Sequence, residues 1–576
     1  MSRFDMLSRP LTGGESYWQE DLALRHLVRR ILPEAAWRFA EPQLQAMGAL
    51  APQRVDALAA LADRHGPTLH THDRTGARQD AIEYHPAYRE LQTLAYGGGL
   101  VALKYDPLVR AAHPESLHAI GFALGYLFSQ AEAGLYCPLC MTDGAARILE
   151  RHAQVPLAAY YVPRLASRHV GDLMTGAMFL TEKQGGSDVG RNATRAVPDG
   201  QDELGAIWRL YGEKWFCSNV DAGVALVLAR PDGAPDGTRG LGLFLVPRPL
   251  PDGSRNAGVL VDRIKPKLGT RSMPTGEVRL DGAVAYAVGE VDRGFRIMAE
   301  MVNLSRLYNA VASAAAMRRA YHEAASWARA REAFGRPVGQ HPLCAATVAD
   351  LAADSVGAMA HVFAAVHALD RSDARGTEQD ARLLRLLTPL AKGSLGKMAV
   401  ANASEAMEVI GGNGYVEDWA LPRLLRDAQV LPIWEGTTNI QVLDAFRAIL
   451  KEQAHEVLFE VLRAAVQPGV TEAVPAALDV MAALDELRCA LPRLGEAGER
   501  AQHLWRTWFD RAAAVTQVAM CLREALASPV LEGDEGLAAV RLFSAAAERL
   551  ARKRLRGQPH VLAALGTSAT DADLVP

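Results

Sequence analysis

The sequence lacks an uninterrupted apolar run long enough to cross a lipid bilayer. Its start, Met1-Ser-Arg-Phe-Asp-Met, has neither the apolar core nor the cleavage site of a secretory signal. Cysteine is scarce, since six cysteines are scattered over 576 residues, as is typical of a protein kept in a reducing compartment. These absences favour a soluble, cytoplasmic protein with no membrane partner.

The common metal and nucleotide motifs are missing as well. Cys137-Pro-Leu-Cys140 has CxxC spacing, but no second pair follows at zinc-ribbon spacing, so we interpret it as a packed, reduced pair and expect no metal site. Neither a GxGxxG nor a Walker A motif stands between a strand and a helix, which leaves a Rossmann or P-loop enzyme without support. The net charge of −4 argues against strong nonspecific nucleic-acid binding by the whole surface, although not against a local basic patch.

The spacing of apolar residues changes clearly along the sequence. Apolar residues at helical spacing predict a mostly helical region over 1–173 and long Ala- and Leu-rich helices over 293–450. Between them, residues 174–292 alternate short apolar runs with turn clusters, which is typical of an antiparallel β-domain. A further helical segment covers 451–576. Because 576 residues exceed what one core can bury, we expect several domains and a fold that is mainly α with a central β domain (α+β).

The most informative segment is Phe179-Leu-Thr-Glu-Lys-Gln-Gly-Gly-Ser-Asp-Val189. Its adjacent glycines, Gly185 and Gly186, allow backbone N–H groups to approach a ligand closely and to adopt positive φ. The hydroxyls of Thr181 and Ser187 add donors suited to phosphate or ring-carbonyl oxygens. A polar surface turn explains the segment equally well when it is taken alone.

The segment Ile433-Trp-Glu-Gly-Thr-Thr-Asn-Ile-Gln441 places a carboxylate, Glu435, at a predicted loop-to-helix junction. Partly apolar surroundings raise the pKa of a carboxyl group, which makes it a better base near neutral pH. The alternative is an acid that caps the first turn of a helix.

Three weaker segments are compatible with a cofactor site. Lys214-Trp-Phe-Cys-Ser-Asn219 ends a predicted strand with an aromatic pair and a hydroxyl, and an ordinary strand end is the alternative. Arg331-Glu-Ala-Phe-Gly-Arg-Pro-Val-Gly-Gln340 is a loop with two arginines suited to phosphate, although surface loops commonly carry arginine. Ile410-Gly-Gly-Asn-Gly-Tyr415 is either a phosphate loop or a helix C-cap followed by a turn.

Taken in this order, these segments resemble the acyl-CoA dehydrogenase superfamily of FAD flavoproteins over roughly residues 80–450. Within that superfamily the chain resembles the AidB branch, which is linked to DNA alkylation damage and extends beyond the usual C-terminus. Thr181-Glu-Lys-Gln-Gly-Gly-Ser-Asp lacks the proline that usually follows the acid, as in AidB. The same branch is indicated by His85-Pro-Ala, Cys137-Pro-Leu-Cys-Met-Thr, Phe244-Leu-Val-Pro-Arg, Lys267-Leu-Gly-Thr-Arg-Ser and Ile433-Trp-Glu-Gly.

The resemblance implies an N-terminal helical domain, a middle β-barrel, a C-terminal four-helix bundle and a helical extension, with FAD as cofactor. It implies that Thr181 contacts the flavin ring carbonyl, Ser187 the pyrophosphate region and Ser218 the edge at N5, while Phe216 stacks on the ring. The other residues implied in the same chain's pocket are Met178, Leu180, Gly186, Cys217, Gly436, Thr437 and Asn439. Arg331, Gln340, Gly411 and Gly412 would reach FAD bound to a neighbouring subunit, so a homotetramer is expected.

The resemblance also implies that Glu435 is the general base that removes the α-proton of an acyl-CoA thioester while a β-hydride passes to the flavin. Isovaleryl-type members carry their base elsewhere, immediately before an arginine in the first helix of the third domain. That position is Ser305 in this chain, followed by Arg306, so the alternative base is absent and Glu435 is the expected catalytic residue.

AidB-type proteins are also thought to bind double-stranded DNA through the C-terminal region and to have only weak dehydrogenase activity. The residues that would contact DNA here are Arg447, Arg549, Arg552, Lys553, Arg554 and Arg556. Yet residues 451–576 carry three more acidic than basic residues, and a solvated helical face explains the cluster equally well. Two hypotheses follow: a DNA-protecting flavoprotein with weak, isovaleryl-CoA-type dehydrogenase activity, or a working acyl-CoA dehydrogenase with no DNA role.

Overall fold

We describe the chain from a computed structural model over residues 16–498, 502–558 and 561. The N-terminal part is helical, and a two-stranded antiparallel hairpin interrupts it, formed by β1 (Thr68–His72) and β2 (Arg78–Glu83). Its helices are α1 (Leu22–Ile31), α2 (Glu34–Leu50), α3 (Asp56–Arg64), α4 (Pro86–Gly97), α5 (Pro107–Ala112), α6 (Leu117–Ser129), α7 (Tyr136–His152) and α8 (Val155–Leu165).

A seven-stranded sheet follows and closes into a barrel. Its strands are β3 (Gly176–Phe179), β4 (Arg195–Asp202), β5 (Gly205–Ser218), β6 (Val224–Pro231), β7 (Gly242–Pro247), β8 (Val259–Ile264) and β9 (Thr275–Ala287). Strands β4, β5, β9, β7 and β6 form a continuous ring. We expected an antiparallel barrel, but the structure differs in one respect. Strand β6 pairs in parallel with both β3 and β4. A ring of five strands cannot alternate direction throughout, so its closure requires one parallel pair.

The two faces of the barrel strands bury different partners. In β6, Val224, Leu226 and Leu228 belong to an apolar cluster shared with the helices beside the barrel. Their neighbours, Ala225, Val227 and Ala229, belong to a second cluster made of barrel and hairpin residues. This alternation follows from the period of two in a strand, and it explains why β6 reads as a continuous apolar run.

The third region is built from long helices that pack side by side. They are α9 (Gly294–Ala330), α10 (Pro342–Arg375), α11 (Glu378–Ile410) and α13 (Thr438–Glu452), with the short α12 (Ala420–Ala428) before α13. A small hairpin of β10 (Glu332–Ala333) and β11 (Arg336–Pro337) joins α9 to α10. The extension contains α14 (Ala454–Thr471), α15 (Pro475–Ala497), α16 (Gln502–Leu526) and α17 (Gly533–Arg554).

Helix α10 qualifies the expectation that no segment is apolar enough to span a membrane. Among the described residues it is the one helix that meets that test by length and composition, with a mean hydropathy of 1.3 over its most apolar stretch. Half of that stretch is buried inside the protein, and α10 packs against α9, α11 and α17. A core helix passes the same test, and α10 packs as one.

The extension packs into the same apolar core as the N-terminal helices and the bundle. The ring of Trp505 in α16 stacks on Phe446 in α13, with centroids 4.4 Å apart. Phe509 fits against Gly393 in α11, where an added Cβ would lie 2.6 Å from the phenylalanine ring. At the other end of α16, Glu524 accepts a hydrogen bond from His26 in α1. The extension is therefore an integral layer of the fold.

A buried charge network joins the N-terminal helices to the bundle. Asp56, at the start of α3, receives hydrogen bonds from Arg319 in α9 (3.1 and 3.2 Å) and from Arg423 in α12 (2.7 Å). Arg319 is fully buried and also pairs with Glu323. Although burial opposes the ionisation of Asp56, the two guanidinium groups hold its pKa below the ordinary value. One carboxylate thus compensates two buried cations from different elements.

Replacing Asp56 with asparagine is expected to lower the free energy of unfolding by about 3–5 kcal/mol, because two buried arginines then lose their shared carboxylate. The measurement is urea-induced unfolding of the full chain. Glu34→Gln is the matched control, since it removes a carboxylate from surface pairs with Arg29 and Arg38 and should cost at most about 1 kcal/mol. Equal effects of the two changes would contradict the role assigned to Asp56.

Candidate active site

Strand β3 carries the predicted flavin loop to the edge of the barrel. Its four residues are buried, whereas residues 183–188 are exposed. The backbone N–H of Trp215 donates to the Thr181 carbonyl (2.8 Å) and so fixes the loop beside the end of β5. Gly185 has φ of +122°, and an added Cβ at Gly186 would lie 2.4 Å from the Thr181 hydroxyl. The loop's shape therefore requires both glycines, and it leaves Ser187 and the neighbouring backbone N–H groups accessible to a ligand.

Glu182, the acid of the same motif, attaches the loop to the barrel through its buried side chain. Its carboxylate is buried and pairs with the fully buried Lys214 of β5 at 2.9 Å. It also accepts hydrogen bonds from Thr194 Oγ1 (2.6 Å) and from the N–H of Ala193 (2.7 Å). Although burial disfavours the charged form, Lys214 and these hydrogen bonds lower the pKa of Glu182 to about 2. Burial also lowers the pKa of Lys214, because it outweighs the attraction of Glu182.

The end of β5 supplies the side chains predicted to contact a ring. Phe216 is 55% exposed, so its ring is available to a planar group. Ser218 is half-buried, and its Oγ lies 3.2 Å from the Thr275 hydroxyl. Cys217 is buried in the barrel core, and burial raises the pKa of its thiol, so only its backbone is offered to a ligand. The alternation of β5 thus separates the ligand-facing residues from the core residue between them.

The structure gathers most of the predicted flavin residues around one region. Lys267 links the barrel edge to the region around Cys137 and Glu435. Lys267 Nζ donates to Thr275 Oγ1 (3.2 Å), and the charges of Lys267 and Glu435 both act on the Cys137 thiol. The barrel edge contributes Met178, Leu180, Thr181, Gly186, Ser187, Phe216, Cys217 and Ser218, and the start of α13 contributes Gly436, Thr437 and Asn439.

A second group of predicted flavin residues lies elsewhere in the chain. The group consists of Arg331, Gln340, Gly411 and Gly412, all exposed, near the far ends of α9 and α11. Ser305 lies beside Glu435, and the rise of an α-helix places the end of α9 roughly 38 Å further along its axis. These residues therefore do not meet the Glu435 region of their own chain.

Glu435 stands in a strained turn immediately before α13. Its φ is +57°, in the left-handed region that side chains rarely adopt, and Gly436 follows with φ of +92°. The Glu435 carbonyl accepts hydrogen bonds from Arg306 Nε (3.2 Å) and Gln441 Nε2 (3.0 Å). The Gly436 carbonyl accepts from Gln441 Nε2 (3.1 Å) and from Lys392 Nζ. Three side chains from α9, α11 and α13 thus hold one turn in a conformation that the chain disfavours locally.

The surroundings of Glu435 favour a proton-accepting role. Burial raises the pKa of its carboxyl group, whereas a hydrogen bond from Ser305 and the charges of Lys392 and Arg306 act in the opposite direction. A carboxylate of raised pKa is a better base near neutral pH, which agrees with the role predicted for Glu435. Ser305 occupies the position of the alternative base and is hydrogen-bonded to Glu435. The two base positions of the family therefore lie side by side in this chain.

The CxxC pair lies at the start of α7 beside this carboxylate. Both cysteines are free, as expected, and Cys140 Sγ is 3.4 Å from Ser305 Oγ. Burial raises the pKa of Cys137 to about 12, with the Glu435 charge adding to the effect. Both thiols stay protonated at neutral pH and act as compact, weakly polar walls. Within the described residues, no group of three or more His, Cys, Asp or Glu could hold a metal ion.

The basic residues proposed for DNA contact are mostly engaged within the chain. Arg549 pairs with Asp350 of α10 (2.5 Å), and Arg554 pairs with Asp354 one turn further along (2.5 Å). Lys553 lies within 3.6 Å of both carboxylates. Arg556 pairs with Asp479 and Glu548, while Arg447 and Arg552 are exposed.

The buried charges that support the site were not among the residues predicted from the sequence. Lys392 is fully buried beside the Glu435 turn, and Lys214 is fully buried beneath the flavin loop. The one available signal for Lys392 is its place in the apolar and small run Pro389-Leu-Ala-Lys-Gly, where an isolated lysine is unusual for a core helix. Glu182 lies in the predicted ligand loop, but its side chain points into the fold and pairs with Lys214.

Comparison with known proteins places these features in a family. Three family models match successive parts of the chain: "Adaptive response protein AidB N-terminal domain" over 8–170, "Acyl-CoA dehydrogenase, middle domain" over 177–283, and "Acyl-CoA dehydrogenase, C-terminal domain" over 292–450. Acyl-CoA dehydrogenase family member 11 of Caenorhabditis elegans is 38% identical over 467 residues, which is 77% of this chain and 74% of that protein. The putative acyl-CoA dehydrogenase AidB of Escherichia coli K12 is 37% identical over 409 residues, covering 69% and 71%.

A solved structure agrees with these matches. The crystal structure of C. elegans ACDH-11 in complex with C11-CoA superimposes with a TM-score of 0.87 at 31% identity, covering 98% of this chain and 96% of that one. The predicted fold class is confirmed, as are the AidB-like resemblance and FAD as cofactor, since members of this family are FAD-dependent oxidoreductases. The glycine-shaped loop, the exposed Phe216 ring and the hydroxyls at the barrel edge fit a flavin. The chain belongs to the acyl-CoA dehydrogenase family, with an AidB-type N-terminal domain.

Proposed function

We propose that the protein is a working FAD-dependent acyl-CoA dehydrogenase in which Glu435 is the general base. The observation that carries this proposal is the Glu435 turn, where a carboxylate of raised pKa is held in a left-handed conformation by three separate elements. Strain of this kind persists only where surrounding contacts over-determine it, and it clusters at active sites. When bound, FAD would supply the acceptor for a hydride from the β-carbon, while Glu435 would take the α-proton, so that the acyl chain would gain a double bond.

The chain's own residues prepare this step by position and electrostatics. Arg306 and Gln441 fix the Glu435 backbone, which leaves the carboxylate few orientations. Cys137 and Cys140 surround the carboxyl group with protonated, weakly polar atoms. Such surroundings desolvate the half-buried base in part, which raises its proton affinity.

The substrate class we propose is an acyl-CoA thioester. The ACDH-11 structure, which covers nearly all of this chain, holds C11-CoA, and that ligand favours an extended acyl chain here. The resemblance to AidB instead favours a short, branched chain such as isovaleryl-CoA. Mixing the protein with acyl-CoAs of both kinds and following the flavin absorbance distinguishes these two chain types.

We also propose that the protein is a homotetramer in which neighbouring subunits complete each other's flavin sites. Arg331 and Gln340 are exposed and distant from the Glu435 region of their own chain. Large apolar side chains are exposed in the same part of the bundle: Phe334 is 96%, Leu343 86% and Tyr415 82% exposed. Contiguous exposed apolar residues are typical of a surface that another subunit covers.

Anaerobic mixing with a panel of acyl-CoAs tests the proposed reaction. The flavin absorbance of the purified protein is expected to bleach with at least one thioester in a series that includes isovaleryl-CoA and undecanoyl-CoA. Glu435→Gln is expected to slow bleaching about 10²–10⁴-fold, because it removes the base without changing the shape of the site. Glu405→Gln, on the exposed face of α11, is the matched control and should bleach normally. Unchanged bleaching in Glu435→Gln would overturn the assignment.

A second candidate function is binding of double-stranded DNA with protection from alkylation. The match of residues 8–170 to the AidB N-terminal domain and the 37% identity to E. coli AidB favour it. Four of the six arginine and lysine residues proposed for contact already face carboxylates, so DNA would have to compete with intramolecular ion pairs. The exposed Arg447 and Arg552 are the members of the set that we expect to contribute most.

Salt-dependent DNA binding tests this second function. If the extension binds duplex DNA, log affinity falls linearly with log salt, and Arg552→Glu is expected to reduce the slope by about one. Arg38→Glu, at an exposed position of α2 outside the proposed DNA-contact set, is the control and should leave the slope unchanged. Absence of binding at low salt, or equal slopes for the two variants, would reject DNA contact through α17.

A further inference from the structure

A lysine in the middle of α11, Lys392, is fully buried, and no carboxylate of the described residues forms an ion pair with it. Lys392 has no exposed surface, and the residues around it in α11 are Leu390, Ala391 and Gly393, also buried. Its Nζ donates a hydrogen bond to the Gly436 carbonyl, the one hydrogen-bond partner of this ammonium among the described residues. Burying a charge costs free energy unless another group compensates it, so its retention at this point calls for a reason.

The compensating group is Glu435, the residue next to the one that Lys392 holds. Glu435 is the carboxylate that acts on Lys392, and the Lys392 charge acts in turn on Glu435. Burial lowers the pKa of Lys392 to about 7, with Glu435 opposing and Arg306 reinforcing that shift. The two groups therefore stabilise each other's charged forms across a short segment of backbone.

The other charged and titratable groups around this turn either form ion pairs with other residues or are neutral. On α9, Arg306 is bound to Asp444 of α13 (2.7 Å), and that carboxylate also receives Arg385 from α11 (2.7 and 2.8 Å). On α7, Cys137 and Cys140 are protonated thiols, and Ser305 is neutral. Two arginines therefore share Asp444, which leaves Lys392 as the cation that Glu435 faces without a competing carboxylate.

The helix surface around Lys392 is shaped to receive the catalytic turn. An added Cβ at Gly396 would lie 3.0–3.2 Å from the backbone of Leu431 and Pro432, just before Glu435. An added Cβ at Gly393 would meet Gln441, whose amide also holds the turn. Helix α11 thus approaches the turn through two glycines and presents one ammonium group to it.

We propose that Lys392 is a positioning residue for Glu435: it holds the Glu435–Gly436 turn through the Gly436 carbonyl and keeps the base ionised near neutral pH. This inference rests on the proposed role of Glu435 as general base. Removing the ammonium group withdraws a favourable interaction from the carboxylate, so Glu435 then protonates at higher pH. The acidic limb of the reaction's pH profile must move in the same direction.

The test compares Lys392→Met, which loses both the charge and the hydrogen-bond donor, with Lys392→Gln, which loses the charge but keeps an N–H donor. The rate of anaerobic flavin bleaching by a saturating acyl-CoA is followed from pH 5 to 9. Both variants are expected to shift the acidic limb upward by about one pH unit. Lys392→Gln should retain the limiting rate at high pH, whereas Lys392→Met should lose part of it. Lys397→Met, on the exposed face of the same helix, is the control and should match the unmodified protein.

A second measurement does not depend on turnover. The infrared absorption of the protonated Glu435 carboxyl is isolated as the difference between each protein and its Glu435→Gln counterpart, and it is titrated without substrate. The midpoint should rise in Lys392→Met and in Lys392→Gln, and it should stay near that of the unmodified protein in Lys392→Arg. Should Lys392→Met fail to fold, the Gln and Arg variants carry the comparison.

The outcomes separate this inference from the proposed function. If Glu435→Gln abolishes bleaching while both Lys392 variants keep the unmodified acidic limb and infrared midpoint, Lys392 has no positioning role and Glu435 remains the base. If Glu435→Gln bleaches normally, the proposed function itself fails.

Discussion

The buried carboxylate of Asp56 is the interaction on which the relative placement of the parts depends. It binds Arg319 of the longest bundle helix and Arg423 of the short helix α12, and it lies itself in the N-terminal region. Helix α12 is tied to the barrel as well, because Asp427 accepts a hydrogen bond from the N–H of Thr270 (2.6 Å). The chain then runs from α12 directly into the Glu435 turn. The proposed base is therefore located by ion pairs and hydrogen bonds that reach all three regions at once.

Two carboxylates of the site show how local partners decide the role of an acid. Glu182 is buried with an ammonium group and several hydrogen-bond donors, and its pKa falls to about 2, so it is a permanent anion that anchors the flavin loop. Glu435 is half-buried with fewer donors, and desolvation raises its pKa, so it can exchange a proton. Both lie in motifs that pair an acid with glycines. The number of hydrogen-bond donors around each carboxylate, and not the motif, separates anchor from base.

The extension supports the catalytic region through apolar packing. Phe509 fills the space left by Gly393, and Trp505 stacks on Phe446 in the helix that starts just after Glu435. Most of the basic cluster of the same extension forms ion pairs with Asp350 and Asp354 of α10. Its contacts are therefore directed inward, to the bundle that holds the base. A DNA-binding role would have to use the charges that remain exposed.

The sequence by itself determined the order of helical and strand regions, and it singled out the glycine-rich loop and Glu435 as candidates for the flavin site and the base, because each lies in a short run of neighbouring residues. The family resemblance could be read from the same runs. Only the tertiary structure decided which charges meet, since Asp56 and Arg319 are 263 residues apart and Lys392 reaches Gly436 across 44. It also decided the parallel pairing of β6, which barrel closure imposes. Such pairings depend on how distant elements pack, and no local pattern records them.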